Sequence, residues 1–263
     1  MNSTFKEITE TIKNHDLWVN IAISKLRVRF IRTALGPVWE ILGTMIFLIF
    51  ITIIWSRLWG RSFFDFFGFL YTGYAIWKII STTITESTFL FSELYANALR
   101  NMKCNPLSFC LGNSLKNIFL LFLNLPIVFL ITIYNGTLSF NGILLLSYYL
   151  VIFFVTAVCL SFIVGSLCLK FRDLQYSVVV IMQLLFFMTP VIWDPQQITE
   201  KGRFFLVDIN IFYHYVEFFR SALLYGKVNI LSVYVVSICS LILIIITYYI
   251  YHKIKNKLIF WVT

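Results

Sequence analysis

Long apolar stretches separated by short polar intervals set the pattern of the chain. Apolar runs occupy about 38–56, 69–91, 118–134, 143–169, 174–193 and 230–251. Each is near the ~20 residues a helix needs to cross bilayer hydrocarbon. The pattern therefore predicts an all-α polytopic membrane protein with six transmembrane helices. Between the third and fourth runs stands Asn135-Gly136-Thr137, a tight-turn signal. No repeat, low-complexity tract or soluble domain breaks the series, so residues 1–263 read as a single membrane domain.

The intervals are informative in their own right. Over Leu17–Arg32, helical periodicity puts Val19, Ile23, Leu26 and Phe30 on one face. Lys25, Arg29 and Arg32 fall together on a distant face, with Arg27 to one side. Such a basic amphipathic segment predicts an N-terminal interfacial helix over about 17–34. The polar interval Glu93–Lys116 has a Pro to break the helix and suits either a connector or a short docking helix. Lys170-Phe171-Arg172-Asp173 reads as a charged turn that caps helix ends or meets a partner. The interval Asp194–Asn229 is apolar enough to enter the membrane and too short to cross it. A re-entrant helical hairpin over about 195–226 follows, with Glu217 and Arg220 spaced to pair. Lys78 and Glu86 lie inside the second run, where ionisable groups face a bundle interior or polar cavity. They stand two turns apart and are not expected to pair with each other.

Composition narrows the class. Hydrophobic residues make up 60% of the 263 and charged ones only 13%, against roughly a quarter in soluble domains. Disorder is excluded by that apolar content. A disulfide scaffold does not suit five scattered Cys. Cys159, Cys168 and Cys239 read as small core residues, and Cys104 and Cys110 fall in the inner interval. The net charge of +9 reads as topology rather than nucleic-acid binding. Of the 21 Lys and Arg, fourteen fall on one side of a six-span arrangement, six on the other, and Lys78 within a span. Both termini are thus expected in the cytoplasm. The first 16 residues hold five charges and no long apolar core of a cleavable signal.

Recognised chemistry is sparse. Neither a phosphate-binding G-x-x-x-x-G-K-[ST] loop nor G-x-G-x-x-G occurs, so no nucleotide cofactor is expected on this chain. His15, His214 and His252 are too dispersed for a metal site. A membrane-embedded sugar or acyl transferase would need a carboxylate or His at one face. Of Asp65, Asp194, Glu200, Asp208 and Glu217, none is singled out by sequence.

Five segments, in order, resemble the membrane subunit of type-2 ATP-binding-cassette exporters, in the polysaccharide branch. Lys25–Trp39 is similar to that family's basic interface helix. Leu70–Trp77, followed by Ala96-Asn97-Ala98, Lys103 and Pro106, resembles its second span and coupling helix. Phe171-Arg172-Asp173 matches its Tyr-Arg-Asp turn, and Met188–Trp193 the end of its fifth span. Ile211–Tyr225 is similar to its outer re-entrant segment. Pro37 and the Cys104-Asn105-Pro106 stretch depart from the usual pattern.

The resemblance implies a homodimer on two nucleotide-binding ATPase subunits, which carry ATP and Mg, in a bacterial cytoplasmic membrane. Lys25, Arg27, Arg29 and Arg32 would flank the access site of an undecaprenyl-diphosphate-linked glycan, since cations pair with diphosphate oxygens. Arg100, Lys103, Asn105, Pro106, Arg172 and Asp173 would couple to the ATPase. Tyr213, His214, Tyr215, Phe218 and Arg220 would form an outer gate. Lys78 and Glu86 remain intramembrane polar residues of open role. An exporter of a drug or small lipid, from the same superfamily, is the related alternative.

Overall fold

The computed structural model describes residues 2–91, 105–226, 228–255 and 258. Among the described residues the fold is all helical. Two helices, α1 (Asn2–Lys13) and α2 (His15–Phe30), precede α3 (Val38–Leu58) and α4 (Phe63–Ser87). Then follow α5 (Pro106–Tyr134), α6 (Phe140–Lys170) and α7 (Leu174–Met188). A 3-10 turn at Pro195–Gln197, the four-residue α8 (Glu200–Arg203) and a π turn at Phe204–Asp208 lead to α9 (Ile211–Leu224) and α10 (Ile230–Ile254). The chain is a polytopic membrane protein: α3, α5, α6 and α10 are each long and apolar enough to cross a bilayer.

Helix starts are written in the sequence. Exposed helix-end N–H groups are costly where water is scarce, and Ser or Asn meets them at α4, α5, α6, α9 and α10. The Ser62 hydroxyl accepts from Asp65 N at 3.2 Å, and Asn105 Oδ1 from Leu107 N at 3.0 Å with Pro106 next. Ser139, Asn210 and Asn229 do the same for α6, α9 and α10. The turn between α5 and α6 uses Gly136 at φ 66°, a left-handed value.

At the centre stands α4, which packs against α3, α5, α6, α7 and α9. It is 25 residues long, yet its Lys78, Glu86, Tyr and Thr side chains lower its apolarity because they face neighbouring helices rather than lipid. For example, the Tyr71 hydroxyl donates to Asn124 Oδ1 at 3.0 Å. By contrast, α7 has 15 residues and buries only Met182.

Several boundaries differ from the apolar runs, for physical reasons. The inner interval was expected to reach Lys116, but α5 begins at Pro106, so Cys110 and Lys116 lie buried inside a helix. Asn113, Lys116 and Asn117 broke the apolar pattern because they pair with Lys25, Glu86 and Thr83, and Ser114 is buried beside them. The run to 193 stops helically at Met188, before Thr189-Pro190. The outer interval forms one substantial helix, α9, rather than two matched arms, and that helix is enclosed by α4, α6 and α10.

The second helix docks differently from its periodicity. It packs along α5, where a Cβ on Gly112 would stand 2.9 Å from the Trp18 carbonyl oxygen. Ala22 is its buried residue, while Ile23 and Val28 are exposed. It ends at Phe30, so Arg32 stands beyond the helix, at φ 63°.

Candidate functional site

Four helices meet in a layer of paired charge. Glu40, near the start of α3, is almost fully buried. Its carboxylate accepts from Arg29 of α2 at 2.8 Å and pairs with Lys78 of α4 at 2.5 Å. Lys78 also donates to Thr44 Oγ1 at 2.8 Å. One turn beyond the next, Glu86 pairs with the buried Lys116 of α5, and Arg29 Nη1 reaches it at 3.8 Å. Beside this cluster Lys25 donates to Asn113 Oδ1 at 2.9 Å, and Asn117 Nδ2 donates to Thr83 Oγ1 at 3.0 Å. Lys78 and Glu86 do not pair with each other. Sequence reasoning missed their true partners, Glu40 and Lys116. A search for an acid on a neighbouring apolar run would have found Glu40, the single acid of α3.

This geometry divides the four basic residues of the expected access site. Lys25 and Arg29 turn inward to protein partners, whereas Arg27 and Arg32 are exposed. The bend after Phe30 carries Arg32 off the helix face that periodicity had assigned to it.

Lys25 lies on α2, outside the spanning helices, and burial pushes its ammonium down to about 8. Lys116 reinforces that shift, and Glu86 and Cys110 oppose it. The unfolded chain then holds the extra proton between about pH 8 and the usual lysine value, so stability rises with pH across that window. Between pH 8 and 10 the thermal midpoint in detergent is expected to rise more in the native protein than in Lys25→Met. Parallel curves for the two would refute this.

At the same end of the bundle the side chains of Arg172 and Asp173 are exposed, with no ion pair or side-chain hydrogen bond among the described residues. Asp173 precedes α7 without capping it through its side chain. Asn105 and Pro106 begin α5, and Asn105 Nδ2 also donates to the Tyr251 hydroxyl at 2.7 Å. Lys255 pairs with Glu7 at 2.7 Å, tying α1 to the same corner. Arg100 and Lys103 lie outside the described residues.

The opposite end holds α9. His214 is buried with both ring nitrogens engaged: Nε2 lies 3.1 Å from the Asp208 carbonyl and Nδ1 3.1 Å from Ser232 Oγ. A carbonyl only accepts, so Nε2 carries the proton and Nδ1 accepts from the serine. Tyr215 joins Thr156 and Ser240 in a hydroxyl cluster, and Phe218 meets Tyr149 edge-on at 5.1 Å. Arg220 is fully buried. It stacks on Phe69 at 3.7 Å, approaches Glu217 at 3.7 Å and donates to the Pro190 carbonyl at 3.3 Å. His214, Tyr215, Phe218 and Arg220 clamp α9 to its neighbours, while Tyr213 lines the cavity beside them.

Above Phe69 opens a cavity of about 420 Å³, lined also by Arg61, Asp194, Arg203, Tyr213, Glu217 and Tyr225. Arg61 and Asp194 form an ion pair across it. Burial pushes the Glu217 carboxyl above the usual carboxylate range, against the pull of Arg220.

Along the side of the molecule, α3, α4 and α7 enclose a groove of about 300 Å³. Phe47, Tyr74, Trp77 and Phe186 give it aromatic walls, and Lys78, Thr82 and Gln183 give it polar ones. Polar side chains at mid-helix are costly against lipid, so this face suits a wet path or a protein partner. Among the described residues no three His, Cys, Asp or Glu gather as a metal site.

Comparison with known proteins gives a consistent answer. The family described as ABC-2 type transporter matches residues 19–224. Two curated relatives from Klebsiella pneumoniae, each described as an O-antigen export system permease protein RfbA, are 26% identical over 248 residues. In each case the alignment covers 92% of this chain and 93% of the relative. The family match begins within α2 and runs through α9, so it takes in the whole charge layer and the groove. The chain belongs to the ABC-2 type transporter family, as a membrane permease subunit and not an enzyme.

Proposed function

We propose that the chain is the permease of an ATP-driven exporter that moves lipid-linked polysaccharide across a bacterial cytoplasmic membrane. It works as a homodimer on two ATPase subunits, with six spans per protomer and both termini inside. In this reading α4 and α7 complete the six: α4 is polar because it is central, and α7 is short because Thr189-Pro190 ends it.

The observation that carries the reading is the groove between α3, α4 and α7. Aromatic faces interleaved with hydroxyl, amide and ammonium groups suit a sugar chain, whose rings offer both C–H faces and hydroxyls. A purely apolar cargo would leave the Gln183 amide without a partner. Two copies facing each other across this groove would enclose a path. Arg27 and Arg32, exposed at the inner end, suit the diphosphate of the lipid carrier. Lys25 and Arg29 hold α2 in position. Arg172 and Asp173 remain available to an ATPase, and Arg100 and Lys103 are assigned to the same contact.

Gentle purification of the tagged chain from native membranes tests the proposal. An equimolar ATPase bearing a phosphate-binding loop is the expected partner. A chain that emerges alone and turns over a sugar or acyl donor would refute it. Replacing Arg27 and Arg32 with Ala is expected to lower surface glycan without lowering membrane abundance. Unchanged glycan would remove both residues from the access site.

A further inference from the structure

We infer that the outer cavity above Phe69 binds one neutral sugar ring of the exported glycan. This rests on the export reading above and adds a site to it. The cavity volume of about 420 Å³ falls at the low end of the roughly 300–1,000 Å³ typical of small-molecule sites. That size suits a single ring with its hydroxyls rather than a long segment.

The lining has hydrogen-bonding capacity that the protein leaves unused. The hydroxyl of Tyr213 has no hydrogen-bond partner among the described residues, although Tyr213 is only 8% exposed. The Tyr225 hydroxyl and the Arg203 guanidinium have none either. Among the described residues the ion-pair contact of Glu217 is the 3.7 Å approach of Arg220. These groups face the cavity with donors and acceptors free for a ligand that carries donors and acceptors of its own.

Charge selects the kind of ligand. Arg61 and Arg203 face Asp194 and Glu217, so the cavity lining balances. An anion would meet the two carboxylates, and a cation the two guanidinium groups. An acyl chain would strand the tyrosine hydroxyls and the Arg203 guanidinium on the wall. Sugar hydroxyls both donate and accept, which matches tyrosine hydroxyls, a carboxylate and a guanidinium on one surface. Phe69 supplies an apolar floor for ring C–H groups, and Arg220 stacks on it from within the protein.

Saturation-transfer NMR on the detergent-solubilised permease with its ATPase gives the test. The probes are the methyl glycosides of glucose, galactose, mannose and N-acetylglucosamine, each alone and then with inorganic phosphate. Transfer to at least one glycoside is expected, insensitive to phosphate. It is expected to fall at least threefold in Tyr213→Phe with Arg203→Gln, and to persist in Glu10→Gln at the other end. Should the double variant elute as aggregate, Arg203→Gln with Tyr225→Phe carries the comparison, since both residues are solvent-facing. No transfer to any probe, equal transfer in the variants, or displacement by phosphate would each overturn the assignment. Co-purification of the ATPase with no sugar signal would sink this site and leave the export reading intact. Absence of the ATPase would sink the export reading, whatever the sugars do.

Discussion

Replacing Glu40 with Ala is expected to cost the folded permease about 3 kcal/mol. Removing one partner of a buried ion pair typically costs about 3–5 kcal/mol, because the other charge is left without compensation. Here the carboxylate is almost fully buried and serves two cations, Arg29 at 2.8 Å and Lys78 at 2.5 Å. The lower end of the range applies because Arg29 keeps 36% of its side chain exposed and can turn toward Glu86. Lys78 has less freedom and would retain only Thr44. The thermal midpoint in detergent measures the loss. Lys78→Met in the same chain is expected to restore most of it, since an uncharged pair leaves nothing uncompensated. A Glu40→Ala protein as stable as the native one would show that the cations do not depend on this carboxylate.

Gly73→Val is expected to be at least as damaging, for a steric reason. A Cβ at position 73 would overlap Nη2 of Arg220 and stand 3.1 Å from its Cζ. Flexible side chains normally move away from such an intruder. Arg220 is fully buried, sandwiched between Phe69 and the Pro190 carbonyl, so its guanidinium has nowhere to go. Overpacking costs about 1–3 kcal/mol, and losing the stack on Phe69 adds to it. Gly43 of α3 is the control, because a Cβ there meets nothing within 4 Å. Gly43→Ala is expected to leave the midpoint unchanged or raise it slightly. If Gly73→Val and Gly43→Ala behave alike, the close fit around Arg220 has been misjudged.

How far the fold could be read from the sequence depended on whether a residue's partner was lipid or protein. Apolar runs marked α3, α6 and α10 well, because their outward faces must match hydrocarbon. The start of α5 was hidden: Asn113, Ser114, Lys116 and Asn117 look like a polar loop until Glu86 and Thr83 are placed opposite two of them. In α2 the period of the apolar residues was legible but the docking face was not. A helix against lipid turns its cations to headgroups, whereas this one presents Lys25 and Arg29 to Asn113 and Glu40. Lys78 and Glu86 stood out as interior residues from their cost alone. Their partners sit on other helices, and one sequence carries no register between helices. The cavity above Phe69 was equally invisible, because its walls come from segments as distant as Arg61 and Tyr225.

The packing also divides the permease mechanically. Ion pairs bolt α2, α3, α4 and α5 together, Arg220 fastens α9 to that block through Phe69, and His214 and Tyr215 tie α9 to α10 and α6. Among the described residues, α7 has no ion pair to this block. It buries a single residue, touches α4 and α6, and is joined to α6 by the exposed Arg172-Asp173 turn. A displacement of α7 therefore uncovers little buried apolar surface. Force delivered at the turn would be spent on the one wall of the groove that can yield, the wall bearing Gln183 and Phe186. The facing wall, with Lys78 held in its ion pair, would act as the fixed jaw of a one-sided clamp.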